Sequence, residues 1–238
     1  MSVSGVDLSI LLPAYEEAES LRSLLPALVG VATGLGVRWE IVVVDAERPR
    51  DATAEVCAAH GARCVSRRGG DTYGDAVRTG LPLTRGAWVL VMDADGSHAL
   101  EDVPRLWAER ERADVVIGSR YVPGGATEVP LGLTLASRVL NGVYRTVLGV
   151  PCADMSNSFR VYRGDDVRGL RVTGRDFDVV EELLVRLVRS RPGVRIVEVP
   201  VRFRRRSTGR SKRAWGRFVV SYVRMLGRLG GVSRRPGA

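Results

Sequence analysis

Apolar residues along this chain form short continuous runs that alternate with longer segments of helical spacing. The short runs predict strands at residues 8–12, 40–44, 63–66, 88–92 and 114–118, and a late strand pair or edge strand at residues 195–203. The helical spacing predicts helices at residues 18–31, 52–60, 73–82, 104–112, 133–148 and 214–229. Strands that alternate with helices in this way are typical of an α/β fold with a doubly wound, mainly parallel sheet.

Charged residues follow the ends of several predicted strands. Asp45 follows residues 40–44, the pair Asp93 and Asp95 follows residues 88–92, and Arg120 follows residues 114–118. Ligands of open α/β sheets bind beyond the carboxyl ends of the strands, so we expect these side chains to converge on one crevice. Two adjacent carboxylates repel each other unless a cation lies between them, and Mg²⁺ or Mn²⁺ prefers such oxygen ligands. The pair therefore predicts a metal-assisted diphosphate site, although Asp-x-Asp also occurs in ordinary solvated loops.

Two further segments have distinctive compositions. Residues 122–132 are rich in glycine and proline, which predicts a mobile loop. The predicted C-terminal helix has an apolar face and an arginine stripe, formed by Trp215, Phe218, Val219, Tyr222, Leu226 and Leu229 and by Arg213, Arg217, Arg224 and Arg228. A basic amphipathic helix can lie in the lipid headgroup region, or it can pack on the sheet with its arginines in solvent. Residues 213–238 are therefore expected to form a separate helix and tail.

Composition narrows the classes of partner. The chain has 238 residues, of which 45% are hydrophobic, and a net charge of +9, which fits one soluble domain that prefers polyanions. Lys212 is the only lysine, and the basic final third interleaves arginine with aromatic residues, which favours a lipid surface over nucleic acid. Three scattered cysteines argue against disulfides. Without a signal peptide pattern or a spanning segment, we expect a cytoplasmic protein with membrane association at the inner face.

Eight short segments occur in an order that resembles family 2 glycosyltransferases of the Rossmann-like GT-A fold. Within that family they are most similar to the dolichyl-phosphate (polyprenyl-phosphate) mannose synthase group. The segments lie at residues 12–17, 42–45, 73–76, 92–98, 116–121, 137–141, 154–162 and 209–212. Each is unspecific alone, but together they cover about residues 8–226, and they imply a GT-A domain at residues 1–212.

The resemblance also implies a function and a set of site residues. The implied reaction is an inverting transfer of a hexose, with mannose favoured, from a nucleotide sugar, with GDP-mannose favoured, to a polyprenyl phosphate. Metal binding is implied for Asp93 and Asp95, and catalytic roles for Asp95 and Arg120. Donor nucleotide binding is implied for Pro13, Tyr15, Glu17, Asp45, Asp93, Ala94, Asp95, Ser97, Arg206 and Lys212. Contact with the acceptor phosphate is implied for Arg120, Ser137 and Arg138, and a planar guanidinium suits bidentate phosphate capture. His98 is either a ligand or a structural cap, and the structural role is favoured.

Three positions depart from the family pattern. Ala46 replaces the second acidic residue after the second strand, which puts the guanine base of the donor in question. Leu133 stands where the family has a second phosphate-binding arginine, although Arg138 could substitute from the next turn. Asp176 adds a carboxylate close to where the donor phosphates are expected, and the sequence offers no account of it.

These departures keep two alternative functions open. One is the same fold acting on a soluble acceptor, such as a secondary metabolite, or using a UDP-sugar donor. The other is a catalytically inactive GT-A protein that only binds its ligands. Retention of the charged residues argues against inactivity, since an inactive protein does not need all of Asp93, Asp95, Arg120, Arg206 and Lys212.

Overall fold

The computed structural model describes residues 5–204 together with Gly227. The strands are β1 Leu8–Pro13, β2 Trp39–Asp45, β3 Arg63–Ser66, β4 Trp88–Val91, β5 Val115–Ser119, β6 Ala126–Thr127, β7 Arg160–Arg163, β8 Ile196–Pro200 and β9 Arg202–Phe203. The helices are α1 Ala18–Gly34, α2 Thr53–Ala59, α3 Tyr73–Gly80, α4 Val103–Glu109, α5 Leu131–Leu148, α6 Gly164–Arg168 and α7 Asp178–Ser190. The predicted C-terminal helix, together with Arg206 and Lys212, lies outside the described residues.

Seven strands form one twisted sheet in the order β3-β2-β1-β4-β7-β5-β8. Within it, β7 runs antiparallel to both of its neighbours, and the other pairs are parallel. The chain moves outward from β1 to β2 and β3, and it then returns to place β4 on the other side of β1. That reversal is the topological switch point at which open α/β sheets form their ligand crevice. A separate two-stranded ribbon pairs β6 with β9.

Alternate residues of the central strands enter hydrophobic cores on opposite faces of the sheet. Ile10 and Leu12 contribute to one core, and Leu11 contributes to the other. The first core is covered by α1, α2 and α4, and the second by α3, α5, α6 and α7. Because helices cover both faces of the sheet, every side chain of the central strands β1 and β4 is buried. This explains the continuous apolar runs in the sequence. The polar strand ends are consequently the place where function can be built.

The predicted α/β class, the parallel strands and the main helices are confirmed, and one expectation needs correction. Residues 122–132 are not a simple loop, because β6 forms within them and α5 already begins at Leu131. The expected strand pair or edge strand at residues 195–203 is present as β8, which lies at the edge of the seven-stranded sheet, and β9. Within the part of the chain that the structure describes, no helix combines the length and the hydrophobicity needed to cross a bilayer.

Candidate active site

Asp45 ends β2 and lies almost fully buried at the carboxyl edge of the sheet, with 3% of its surface exposed. Its Oδ1 atom has no hydrogen-bond partner among the described residues. Burial, together with the carboxylates of Asp51 and Asp71, raises the pKa of Asp45 above its ordinary value. A buried carboxylate oxygen without a partner is costly, so this position is suited to a ligand that brings N–H donors.

Arg67 organises the loops around Asp45, although sequence reasoning gave it no role. Its buried guanidinium donates to the carbonyl oxygens of Asp45 (2.9 Å), Asp71 (3.0 Å) and Ala14. It also lies 5.6 Å from the centre of the Tyr15 ring, and Arg50 lies 5.3 Å from the same ring. Arg67 therefore ties the ends of β1 and β2 together and helps to position Tyr15. Its place directly after β3 was the one available signal in the sequence.

Pro13, Tyr15 and Glu17 follow one another at the end of β1 and the start of α1, as the sequence predicted. Pro13 is buried, Tyr15 is half-buried, and Glu17 has 8% of its surface exposed. The Glu17 carboxylate accepts a hydrogen bond of 3.0 Å from the hydroxyl of Ser20 in the first turn of α1. Of these three residues, Tyr15 thus presents the most surface to a ligand.

Asp93 and Asp95 lie half-buried after β4, with Ala94 buried between them. One oxygen of Asp93, Oδ1, accepts hydrogen bonds from Ser158 (2.9 Å) and from Tyr73 (3.1 Å). Oδ1 of Asp95 accepts the backbone N–H of Ser97 at 3.0 Å, and Gly96 permits that turn with a φ of 76°. The hydroxyl oxygen of Ser97 is buried and has no hydrogen-bond partner among the described residues. The two carboxylates are therefore oriented by fixed donors.

These ligands fit a divalent cation that is shared with a substrate. No group of three His, Cys, Asp or Glu side chains in the described residues could enclose a metal ion. Mg²⁺ is commonly held by one or two carboxylates and completes its shell with phosphate oxygens and water. Two carboxylates at an open sheet edge match that arrangement, and they do not match a closed structural site.

His98 has a structural role in this site. The backbone N–H of Asp93 donates to Nδ1 at 3.1 Å, so Nε2 carries the proton and donates to Oδ1 of Asn157 at 3.1 Å. The ring stacks on Phe159 with centroids 4.7 Å apart, and it meets the edge of Phe203 at 5.6 Å. Both nitrogens are engaged within the protein, which favours the structural cap over the metal ligand.

Arg120 follows β5, as the sequence predicted, and its guanidinium is paired with a carboxylate. Its Nε donates to Asp154 Oδ2 at 2.8 Å, and its Nη2 donates to Asp154 Oδ1 at 2.7 Å and to Ser156 at 2.8 Å. The side chain is 12% exposed, whereas Asp154 is fully buried. The Nε–Nη2 edge is the one that clasps an oxyanion in a bidentate pair, and here it is occupied by Asp154. A phosphate at Arg120 would have to approach another edge.

Tyr121 connects Arg120 to the two predicted acceptor residues on α5. Its hydroxyl donates to Ser137 at 2.8 Å. Its ring lies 4.9 Å from the guanidinium carbon of Arg120 and 5.2 Å from that of Arg138. Asn141, one turn beyond Ser137, donates to Ser156 at 3.2 Å and accepts the backbone N–H of Met155 at 2.7 Å. The structure thus brings Arg120, Ser137 and Arg138 together, and Asn141 joins α5 to the segment that holds Arg120.

One short segment before β7 joins the two halves of the site. Asp154 holds Arg120, Asn157 donates to the carbonyl of Gly118 at 2.6 Å, and Ser158 holds Asp93. This segment can reach both halves because β7 lies between β4 and β5 in the sheet. The sequence indicated the segment only through the family resemblance, without individual roles.

Leu133 and Asp176 occupy different surroundings. Leu133 lies on α5 and is 40% exposed, so the position of the missing arginine faces outward. Asp176 lies just before α7, where its backbone N–H donates to Asp178 at 2.9 Å. Its neighbour Phe177 stacks on Tyr73 with centroids 4.4 Å apart, which places this segment behind Asp93. Nothing in the structure explains the Asp176 carboxylate itself.

Comparison with known proteins places this chain in a family. Residues 9–170 match the sequence profile of glycosyl transferase family 2. The chain belongs to that family. It is 35% identical over 221 residues to the undecaprenyl-phosphate mannosyltransferase of Micrococcus luteus, covering 87% of each chain. It is 34% identical to the polyprenol monophosphomannose synthase of Mycolicibacterium smegmatis, covering 85% of this chain and 79% of that one. The expected glycosyltransferase activity and family are thereby confirmed.

Solved structures agree on the fold. A crystal structure of glucosyl-3-phosphoglycerate synthase from Mycobacterium tuberculosis in complex with phosphoglyceric acid has a TM-score of 0.74 and 20% sequence identity, covering 98% of this chain and 82% of that one. The same enzyme in complex with Mn²⁺ and UDP-glucose has a TM-score of 0.73 and covers the same shares. The expected GT-A, Rossmann-like fold is therefore confirmed for this glycosyltransferase.

Proposed function

We propose that this glycosyltransferase transfers mannose from a nucleotide sugar to a polyprenyl phosphate, with inversion at the anomeric carbon. One observation carries the proposal: the carboxylates after β4 and the Arg120, Ser137 and Arg138 cluster lie at one sheet edge, in a chain similar to polyprenyl-phosphate mannosyltransferases. The carboxylates suit the donor diphosphate, and the basic cluster suits an acceptor phosphate. GDP-mannose is the favoured donor.

The donor side would be built from the loops after β1, β2 and β4. Asp45 offers an unpaired, buried oxygen to the N–H groups of a base, and Tyr15 offers a ring face. Asp93 and Asp95 would hold Mg²⁺ or Mn²⁺, which supplies Lewis-acid stabilisation of the departing nucleoside diphosphate. Ala94 and Ser97 would line the diphosphate side. Arg206 and Lys212 belong to this proposal from the sequence alone.

On the acceptor side, the protein mainly positions a nucleophile that is already charged. A phosphate monoester is largely dianionic near pH 7, because its second pKa is about 6. An acceptor oxygen forms the new bond to the anomeric carbon as the bond to the donor phosphate breaks, and the electron pair leaves with the nucleoside diphosphate. No strong base is required, which fits a His98 engaged at both nitrogens. Positioning by Arg120, Ser137 and Arg138 would supply most of the rate.

A donor and acceptor panel tests the proposal. Purified protein would be incubated with Mn²⁺ or Mg²⁺, GDP- or UDP-sugars, and a short polyprenyl phosphate, and released nucleoside diphosphate would be measured. We expect release that requires GDP-mannose, the lipid phosphate and the metal together, and a β-linked product. Asp95→Asn should abolish that release while leaving the melting temperature nearly unchanged.

A second candidate is the same chemistry with a soluble acceptor or a UDP-sugar donor. Leu133 favours it, because the arginine expected there is missing and the position faces outward. Turnover with UDP-sugars, or with a water-soluble phosphate in place of the lipid, would favour this candidate over mannose transfer to a polyprenyl phosphate. Absence of turnover with every pair, alongside tight nucleotide binding, would leave only the inactive binding protein.

A further inference from the structure

Two guanidinium groups lie beside the ring of Tyr15, and they differ in how firmly they are held. Arg67 is 3% exposed and donates to several backbone carbonyl oxygens, which fixes its position. The Arg50 side chain is 47% exposed and pairs with Asp71 at 3.2 Å. The guanidinium carbon of Arg50 lies 5.3 Å from the centre of the Tyr15 ring. Arg50 can therefore move without breaking buried hydrogen bonds, whereas Arg67 cannot.

The carboxylate of Asp71 joins the two loops that flank Asp45. Its Oδ1 accepts the backbone N–H of Glu47 at 2.8 Å, and its Oδ2 accepts Nη2 of Arg50 at 3.2 Å. Glu47 and Arg50 belong to the loop after β2, whereas Asp71 belongs to the loop after β3. This contact holds the exposed arginine beside the Tyr15 ring and close to the strand end that carries Asp45. An exposed ion pair is a weak constraint, so Arg50 remains adjustable.

The loop that carries Arg50 is also the one that departs from the family pattern. Ala46 stands where the family has an acidic residue, and the loop carries the cations Arg48 and Arg50. The proposed function gives Arg50 no role. A guanidinium plane can stack on a nucleobase as it stacks on an aromatic ring.

The spacing between Tyr15 and Arg50 is close to what a nucleobase needs. A flat ring in contact on both faces takes about 3.5 Å on each side, or about 7 Å in all. This is about 2 Å more than the 5.3 Å between Arg50 and the ring centre. An exposed arginine side chain can make such a shift by changing rotamers.

We propose that Arg50 closes the base subsite of the donor, with the nucleobase held between the Tyr15 ring and the Arg50 guanidinium. The N–H edge of the base would then reach Oδ1 of Asp45, which has no hydrogen-bond partner among the described residues. Stacking recognises the flat face of any base, so Arg50 adds affinity while Asp45 distinguishes between bases. The assignment of Tyr15 and Asp45 to a base rests on the proposed function.

Binding of nucleosides that lack phosphates tests the stack directly. The Kd values of guanosine, uridine, GDP and UDP would be measured by competition against a fluorescent nucleotide. For the base that binds more tightly, we expect Arg50→Ala to raise the Kd of the nucleoside about five- to tenfold, and that of its diphosphate by the same factor. Arg50→Lys keeps the charge but loses the plane, and it should lose most of the same affinity.

The matched control for charge is Arg48→Ala. Arg48 is exposed on the same loop, so its removal changes the net charge equally, and the nucleoside Kd should stay within about twofold of wild type. Because a nucleoside is neutral, the loss caused by Arg50→Ala should persist at high salt. An unchanged nucleoside Kd in Arg50→Ala, or an equal loss in the Arg48 control, would overturn the proposal.

A ligand with phosphates but no base separates stacking from charge attraction. Arg50→Ala should leave the binding of pyrophosphate with Mn²⁺ unchanged, which would also show that the variant is folded. A loss of pyrophosphate affinity would mean that Arg50 attracts the phosphates, and it would overturn the stacked arrangement.

Turnover separates this proposal from the proposed function. Wild-type protein that binds the nucleoside through Arg50 but transfers no mannose to a polyprenyl phosphate would defeat the proposed function alone. Wild-type protein that carries out this transfer, with a nucleoside affinity that Arg50→Ala does not alter, would defeat the role of Arg50 alone.

Discussion

The carboxylate of Asp154 holds Arg120 at three points. Its Oδ2 accepts both the backbone N–H (3.0 Å) and Nε (2.8 Å) of Arg120, and its Oδ1 accepts Nη2 at 2.7 Å. The arginine therefore has a fixed direction before any ligand binds. That geometry suits a residue that positions a phosphate, because little side-chain entropy remains to be lost on binding.

Arg120→Lys should weaken acceptor binding while leaving donor binding intact. Lysine keeps the charge but loses the planar group that Asp154 holds. We expect the acceptor KM to rise about 10- to 100-fold, equivalent to about 1.5–3 kcal/mol for a charge-assisted contact. Arg22→Lys, at an exposed position on α1, is the matched control and should leave both constants unchanged. A fall in nucleotide affinity instead would mean that Arg120 serves the donor.

Glu198→Ala should act on the acceptor through Asp154. Glu198 on β8 accepts the backbone N–H groups of Ala153 (2.7 Å) and Asp154 (3.0 Å), which fixes the segment that presents the Asp154 carboxylate. Removing it leaves two N–H groups unpaired, at about 1–3 kcal/mol each where they are buried. We expect a raised acceptor KM with little change in donor KM, and partial rescue by Glu198→Gln. Equal changes in both constants would indicate a general loss of structure.

The strand ends of the site were predictable from sequence because they depend on local patterns. Asp45, Asp93 and Arg120 each follow an apolar run, and the α/β alternation places such ends at one edge. The antiparallel β7 was not predicted, since its four residues begin and end with arginine. Arg160 is nonetheless fully buried, and it donates to the carbonyl of Val180 at 2.9 Å and to Tyr162 at 3.1 Å. Such a partner set is long-range and leaves no local signal.

The residues that hold the site residues in place were not predictable either, because their partners are also distant in the sequence. Asp154 reaches Arg120 across 34 positions of sequence, and Ser158 reaches Asp93 across 65. Arg67 binds carbonyl oxygens, which every residue has, so no partner could be identified from residue types. The partner of Arg120 was not predictable, because sequence identifies a guanidinium but does not show which carboxylate binds it.

Tyr73→Phe and Ser158→Ala should each weaken metal binding at Asp93. Both hydroxyls donate to Oδ1 of Asp93, so each keeps that carboxylate in one orientation. A hydrogen bond to a charged group contributes about 1.5–3 kcal/mol, so the apparent Kd for Mn²⁺ should rise about tenfold or more in each variant. Electron paramagnetic resonance of Mn²⁺ with nucleoside diphosphate measures this without turnover. Since the two hydrogen bonds share one acceptor, the double variant should lose less Mn²⁺-binding free energy than the sum of the losses in the two single variants. Additive losses would mean that the hydroxyls act separately.

Asp45→Asn should stabilise the ligand-free protein at neutral pH and should weaken the binding of the donor nucleotide. Burial raises the pKa of Asp45, so the folded state holds this proton to a higher pH than the unfolded chain. The stability that Asp45 contributes is therefore complete below its unfolded pKa, about 3.9, and is lost as pH rises through the higher folded value. At pH 7 the asparagine variant removes a poorly solvated charge and should melt a few degrees higher. The two proteins should converge near pH 3.5 to 4, and nucleotide affinity should fall about tenfold or more through the lost charged acceptor.

Glu40→Gln provides a control, because the pKa of Glu40 is shifted in the opposite direction to that of Asp45. Burial alone would raise the pKa of Glu40, but hydrogen bonds from the Ser9 hydroxyl (2.6 Å) and the Arg85 backbone (2.7 Å) and side chain outweigh it and lower the pKa. Its stabilising contribution is thus present above the unfolded pKa, about 4.3, and disappears as pH falls through the lower folded value. Glu40→Gln should melt below wild type at pH 7, with the difference shrinking in acid, and its donor affinity should not change. Melting temperatures between pH 3.5 and 8 distinguish the two variants. If Asp45→Asn also melted lower at pH 7, Asp45 would be a paired structural carboxylate, and the base-binding role proposed for it would lose its physical support.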